Sequence, residues 1–201
     1  MHKIACIAAH PDDIELGMGG SVSKFIRQDK NIHCIICFPM NNNRREESNN
    51  ALQHLGVPLT NIHYIDKNGS KRELIGEIDK LIQYINPDTI FTHFHGDTHQ
   101  DHQMVNQCVL SCARMNKINI ILWENTMPGG LSETRFSPDL FIKLQLFDIT
   151  KKIESFQHHH SQIIKYEGIC DFIFNKSSFW GYHIKESHCE VFKILKLIIT
   201  E

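Results

Sequence analysis

Ile4-Ala5-Cys6-Ile7-Ala8-Ala9-His10-Pro11-Asp12-Asp13 opens the chain with an unbroken apolar run that stops on one histidine and two adjacent carboxylates. A run of that length, without polar alternation, reads as a strand buried on both faces, the kind found inside parallel sheets. Four more β-rich runs follow, at residues 32–38, 61–65, 89–93 and 118–122. Between them lie stretches with apolar residues at helical spacing, at 20–28, 44–55, 72–85 and 102–115. In the third of these, Leu74, Ile75, Ile78, Leu81, Ile82 and Ile85 fall on one stripe. Gly56 with Pro58, and Pro87, supply helix stops. Strands that alternate with helices pair in parallel through right-handed crossovers. The expected fold is α/β: a three-layer α/β/α sandwich on a mostly parallel, Rossmann-like sheet.

The chain has 201 residues, the length of one domain, and residues 1–201 are read as such. Hydrophobic residues make up 41% and charged residues 22%, which allows a sizeable core and argues against disorder. The last third is less regular, with helices expected at 149–157 and 171–180 and an apolar closing segment at 190–199. Lys plus Arg (21) nearly balance Asp plus Glu (23), so no basic stripe points to nucleic acid. A small-molecule partner is expected, with no nucleic acid and no membrane span; a homo-oligomer is left open. The first apolar run is too short for a signal peptide. Seven cysteines, an odd number set mostly in apolar runs, do not read as a disulfide framework and suit a reducing cytoplasm. Cys34-x-x-Cys37 lies within a strand, so core thiols are the better reading.

In an open α/β sheet, ligands sit beyond the carboxyl ends of the strands, which is where His10-Pro11-Asp12-Asp13 falls. Imidazole and carboxylate suit zinc, and a neighbouring carboxylate can stay free as a base on a bound water. The competing reading is an ordinary helix N-cap by Asp12 or Asp13. Gly17-Met18-Gly19-Gly20 has the wrong spacing for a dinucleotide loop and reads as close helix–sheet packing. After the fourth strand, residues 93–102 hold His93, His95, Asp97, His99, Asp101 and His102. His99 and His102 are three apart at a helix start and can face one site, with Asp101 available to orient a ligand histidine. Strands one and four commonly flank the switch point of a doubly wound sheet, which brings the two clusters together.

Two other patterns compete. Thr92-His93-Phe94-His95-Gly96-Asp97 resembles the His-x-His-x-Asp-His run of the metallo-β-lactamase fold, but Thr98 stands where its last histidine belongs. A sugar- or nucleotide-binding protein without catalysis is the other alternative.

Together the two clusters resemble the LmbE/PIG-L superfamily of zinc-dependent N-deacetylases. Its hallmark Ala-His-Pro-Asp-Asp-x-Glu-x-Gly-x-Gly-Gly is matched from Ala9 to Gly20, and its Asp-x-His-x-Asp-His from Asp97 to His102. Arg44-x-x-Glu47-x-x-x-Ala51, Lys152-Ile153-Glu154, His159-x-Ser161-Gln162 and Glu190-Val191-Phe192 extend the likeness. The resemblance implies a hydrolase that removes an N-acetyl or similar N-acyl group from an amino-sugar conjugate. It implies that His10, Asp13 and His102 hold Zn2+, or another divalent metal. Asp12 would be the general base, and His99 would stabilise the oxyanion or protonate the leaving amine. Asp101 would support, and Arg44 and Glu47 would contact the substrate's sugar. Asp97 stands where some members carry a tyrosine, and Phe179-Trp180-Gly181 replaces the usual arginine-containing stretch. Glu124 or Asn125, after the fifth strand, is a further candidate for the site, and within His158–His160 only His159 matches a family position.

Overall fold

The computed structural model describes residues 1–66, 69–124 and 134–199. Its centre is a seven-stranded sheet in the order β3-β2-β1-β4-β5-β7-β6. The parallel part is β1 (Lys3–Ala8), β2 (Asn31–Ile36), β3 (Ile62–Tyr64), β4 (Thr89–His93) and β5 (Asn119–Trp123). β7 (His188–Lys196) runs antiparallel to β5, and β6 (Leu140–Leu144) antiparallel to β7. Alternate residues of the opening strand enter two different cores. Ala5, Ile7 and Ala9 pack with Ile78 and Ile82 of α3 (Lys71–Ile85) and with Val105 and Val109 of α4 (Gln100–Ala113). Ile4, Cys6 and Ala8 pack with Ile14 and Val22 of α1 (Asp13–Arg27), Leu52 of α2 (Asn42–His54) and Ile149 of α5 (Leu146–Gln157). A strand covered on both faces has no reason to alternate, which explains its unbroken apolar sequence. The three-layer, mostly parallel α/β architecture is the expected one. The parallel sheet also disposes of the metallo-β-lactamase alternative.

Local signals set the helix ends. Ser70 and Glu73 form a reciprocal capping box at the start of α3, and Asn86 closes it in a left-handed conformation. The departures lie where glycine hides helical periodicity. Helix α1 starts at Asp13, well before residue 20, and bends at Met18, which has φ −150° and ψ 22°. The bend frees backbone N–H groups in mid-helix. Those of Gly20 and Ser21 donate to the buried Glu190 carboxylate of β7, at 3.1 and 2.7 Å, and Lys152 Nζ completes the cluster at 2.6 Å. At Gly17 a Cβ would lie 2.8 Å from the Trp123 ring, so glycine is required for this approach of helix to sheet. The edge strand β6 had no distinct sequence signal, and the closing segment proves to be the long antiparallel β7.

After α5 come a short α6 (His160–Ile163) and then α7 (Ile169–His183), which packs through Ile169 and Ile173 against Leu16 and Phe156. All seven cysteines are free, and Cys34 and Cys37 enter opposite cores. Among the described residues no helix is long and apolar enough to cross a membrane.

Candidate metal centre

β1 and β4 are neighbours, and the chain leaves them toward opposite halves of the sheet. Their carboxyl ends therefore open a crevice at the switch point. His10, Asp12, Asp13, Arg44, His99 and His102 line one cavity there, of about 420 Å3. That is within the usual size for a small-molecule site. Met40, Asn41, Gln162, Lys165 and Tyr166 form its far wall.

The turn out of β1 is held by its own polar groups. Asp12 sits at the N-cap position with φ 108°, a left-handed conformation costly for aspartate, and its side chain makes no cap hydrogen bond. The N-cap reading of this acid therefore fails. The Asp13 carboxylate accepts the His10 N–H at 2.6 Å, closing the turn. Arg44 secures it from α2: its guanidinium donates to the Pro11 carbonyl, pairs with Asp12 at 3.1 Å and with Glu47 at 3.3 Å, and bonds Ser161 Oγ at 3.2 Å. Glu47 in turn accepts the Ser161 N–H and O–H at 2.9 and 2.7 Å, and stands behind Arg44. Arg44 lines the cavity, whereas Glu47 is not among its lining residues.

The second cluster divides its acids between histidines. Asp97 Oδ2 bonds His102 Nδ1 at 2.6 Å, and its other oxygen accepts the His99 N–H at 2.8 Å. Asp101 Oδ2 lies 2.8 Å from His10 Nε2, so the support expected of Asp101 is given to the first motif's histidine. Asp13 Oδ1 is 3.3 Å from His102 Nε2, and Asp13 Oδ2 is 3.6 Å from His10 Nδ1. His99 caps α4, its Nδ1 accepting the Asp101 N–H at 3.2 Å, and its ring stacks on His102 at 4.5 Å.

Adjacent carboxylates thus meet opposite environments. Burial and the nearby Asp13 charge raise Asp12 to about 6, against the pull of Arg44 and His159. For Asp13 burial acts in the same direction, but His102, His93 and His10 outweigh it and hold the carboxyl well below its ordinary range. His102 is pulled down by burial and lifted further by Asp13 and Asp97, to about 10. His10 is likewise raised, through Asp13 and Asp101, despite burial.

Among the described residues, two sets of three donors have ligand atoms within 4.8 Å of one another: His10, His99 and His102, and Asp13, His93 and His102. The expected trio of His10, Asp13 and His102 draws on both sets, with Asp13 between the two rings. Imidazole and carboxylate are a zinc-type donor set. Four carboxylates (Asp12, Asp13, Asp97 and Asp101) converge here, and two of the imidazoles, His10 and His102, are drawn toward their charged forms to offset them, whereas burial drives His93 and His99 toward the neutral form. A dication meets the same demand, so the residues fit one.

Sequence reasoning left several residues without a role. His93 is fully enclosed between the two clusters, although its place at the end of β4 was a usable signal. Ser161, Gln162, Lys165 and Tyr166 reach the cavity from the irregular last third, where no period marks position. His159 is buried against Glu15 at 2.9 Å, behind Asp12, while His160 is exposed. His95 is also exposed. Glu124 pairs with Lys176 at 2.8 Å beside a different cavity, and Asn125 lies outside the described residues.

A doubly wound sheet with a His/Asp cluster at its switch point defines the class. The family follows from comparison: the PIG-L family (GlcNAc-PI de-N-acetylase) matches residues 5–113, and the chain belongs to it. YaiS of Escherichia coli (strain K12), described as an uncharacterized deacetylase, is 30% identical over 172 residues, covering 79% of this chain and 90% of that protein. The N,N'-diacetylchitobiose deacetylase of Pyrococcus horikoshii superposes with a TM-score of 0.77 at 18% identity, over 96% of this chain and 83% of that one. GalB, the 4-carboxy-2-hydroxymuconate hydratase of Pseudomonas putida KT2440, superposes with a TM-score of 0.82 at 14% identity, over 100% and 99%. These two structures share the fold, and their differing chemistries mean that function has to be argued from the site.

Proposed function

We propose that the protein is a metal-dependent amide hydrolase that removes an N-acetyl or similar N-acyl group from a small amino-sugar conjugate. His10, Asp13 and His102 hold the metal, zinc or another divalent ion, and Asp12 is the base. The observation that carries this reading is the gathering of His10, Asp13 and His102 at the switch point, with Asp13 between the two rings and Asp12 turned to the same cavity in a separate ion pair with Arg44. Family membership supports amide hydrolysis, and the deacetylase names of YaiS and the Pyrococcus enzyme point the same way.

A divalent metal in this site supplies Lewis-acid polarisation of a carbonyl and lowers the pKa of a water. The protein's own groups do the rest. Asp12, braced by Arg44 and facing the cavity, accepts the proton of the attacking water. His99 has its Nδ1 occupied by the Asp101 N–H, so the neutral ring carries its proton on Nε2, a donor for the carbonyl oxygen as charge gathers there. The C–N bond then breaks as the nitrogen takes the proton held by Asp12, the second proton of the water passes from the new carboxyl group to the amine, and a carboxylate and an ammonium leave. Asp101 steadies His10, and Asp97 steadies His102. Tyr166, Gln162 and Asn41 offer the aromatic face and amides that suit a sugar, and Arg44 adds a guanidinium to that wall. The free cysteines support a cytoplasmic setting.

The test is release of amine from a panel of N-acetylhexosamine conjugates, with and without chelator. Chelator-sensitive release is expected. Ligand-induced thermal shifts without amine release would instead indicate a binding protein. Hydration of an unsaturated acid without amide cleavage would indicate the hydratase chemistry of the shared fold.

A further inference from the structure

His93, the last residue of β4, is 2% exposed and touches the end of β1, the start of α1, α4 and β5. Its Nε2 accepts the Ala9 N–H at 2.9 Å, one residue past the end of β1. The last paired residues of the β1–β4 ladder are Ile7 and Thr92. The imidazole therefore takes over the hydrogen bonding of β1 where its chain turns toward His10 and Asp13. Nε2 is also 3.4 Å from Asp13 Oδ2, and the ring stacks on His102 at 4.0 Å and 13°. On its other side Nδ1 lies 3.2 Å from Trp123 Nε1, which donates to it. The His93 carbonyl accepts from Asn106 Nδ2 at 2.8 Å, pinning the residue to α4.

Two N–H donors thus address the two nitrogens of one ring. A neutral imidazole has one lone pair for them and an imidazolium has none, so in no protonation state can both bonds be made. The ring proton is contested. On Nδ1 it leaves the Ala9 bond intact and opposes the Trp123 N–H. On Nε2 it finds Asp13 Oδ2, keeps the Trp123 bond and gives up Ala9. Coordination of Asp13 to a cation makes that carboxylate a poorer acceptor and favours the first arrangement, in which β1 is tied to its turn.

We infer that His93 is a positioning residue that fixes the Ala9–His10 turn for metal binding, with its ring proton moving to Nδ1 when the metal is bound. The inference rests on the metal reading above but adds a residue that does not itself ligate. It also assigns Trp123 a spectroscopic part, because its indole N–H loses its acceptor on metal loading.

The experiment uses the full chain carrying Trp180→Phe, which leaves Trp123 as the sole tryptophan. Zinc affinity is measured by competition with a chelating indicator, alongside Trp123 emission, the His93 ring 15N shifts and thermal unfolding in chelator. His93→Phe keeps the ring and its stack but removes both nitrogens. His93→Gln restores an acceptor for Ala9. Zinc binding to the parent is expected to shift Trp123 emission and move the His93 proton to Nδ1. The Phe variant should bind zinc about 10–100-fold more weakly, the loss typical of a supporting partner, and the Gln variant should recover part of it. Trp123→Phe, which removes the contested donor together with part of the ring beneath Gly17, should bind zinc as tightly as wild type or more tightly. Wild-type affinity in His93→Phe, or equal losses in the Phe and Gln variants, would overturn the inference. Should His93→Phe not fold, the Gln variant and Trp123→Phe decide it: a loss in Trp123→Phe as large as that in His93→Gln makes the contact one of packing. A parent protein that binds no zinc overturns the metal reading instead.

Discussion

Replacing Arg44 with Met tests how much of the site depends on one guanidinium. Arg44, Asp12 and Glu47 are 9%, 8% and 6% exposed, so Glu47 cannot turn to bulk water when its partner is removed and Asp12 meets only the water of the cavity. The distances of 3.1 Å to Asp12 and 3.3 Å to Glu47 are those of direct ion pairs. The Pro11 carbonyl loses its donor as well, and with it goes a restraint on the left-handed Asp12 backbone. Breaking a buried pair by removing one partner costs about 3–5 kcal/mol, which in a chain of this length is a fall in Tm of about 6–20 °C. Much of that cost is the penalty of leaving carboxylates buried without a counter-charge, so it should be recoverable. Glu47→Gln removes one such charge, and in the double variant the loss should be smaller than the sum of the single losses, with a coupling of about 0.5–3 kcal/mol. The assay is urea and thermal unfolding of the four proteins in chelator, so that metal binding does not contribute. Strict additivity, or a Tm change under about 2 °C for Arg44→Met, would refute the reasoning by showing that water already screens these charges.

Three further outcomes follow from other parts of the molecule. Asp12→Asn should retain metal, measured by elemental analysis, yet lose about 10²–10⁴-fold in turnover, the usual contribution of a general base; parallel loss of metal would make Asp12 a ligand. Gly17→Ala puts a methyl 2.8 Å from the Trp123 ring, and overpacking of about 1–3 kcal/mol should outweigh the helix gain of about 1 kcal/mol and lower Tm; an unchanged or higher Tm would mean that the indole has room to move. His33, beside His63 and Lys3, is pushed down to about 4, chiefly by burial. Because its folded pKa lies below the unfolded value of about 6.5, its contribution is complete above pH 6.5 and is lost as pH falls toward 4. His33→Gln should flatten the Tm-against-pH curve in that window; a curve parallel to wild type would place the acid sensitivity elsewhere.

Most of the parallel half of the fold was legible because its signals are local and periodic. A doubly buried strand such as β1 has to be apolar throughout, and a helix such as α3 has to show its stripe and its Ser70–Glu73 cap. Helix α1 was misjudged for the opposite reason. Gly17, Gly19 and Gly20 lower helix propensity and interrupt the stripe, and what permits helix there is tertiary: Trp123 beneath Gly17, and Glu190, far along the chain, capping the N–H groups freed at the bend. β6 was unreadable because five residues of an edge strand carry no period distinct from loop. The far wall of the cavity was equally hidden. Gln162, Lys165 and Tyr166 belong to short helical turns whose position is set by the packing of Phe156 and Ile169.

The second motif is better explained by its geometry than by its composition. Asp97 precedes α4 and is almost fully buried, so its carboxylate sits beneath His102 and bonds Nδ1, leaving Nε2 toward Asp13. Asp101, one residue into the helix from its start, projects from the rim and reaches across to His10 Nε2. His99 lies between them at the N-cap, where its ring takes the Asp101 N–H. The alternation of acid and imidazole therefore serves two histidines, one just past β1 and one on α4, so the two motifs depend on each other in space although some eighty residues separate them. Asp101 bears on the first motif and Asp97 on its own. An Asp101→Asn change should accordingly disturb His10 and spare the Asp97–His102 pair, a separation that the sequence spacing alone does not reveal.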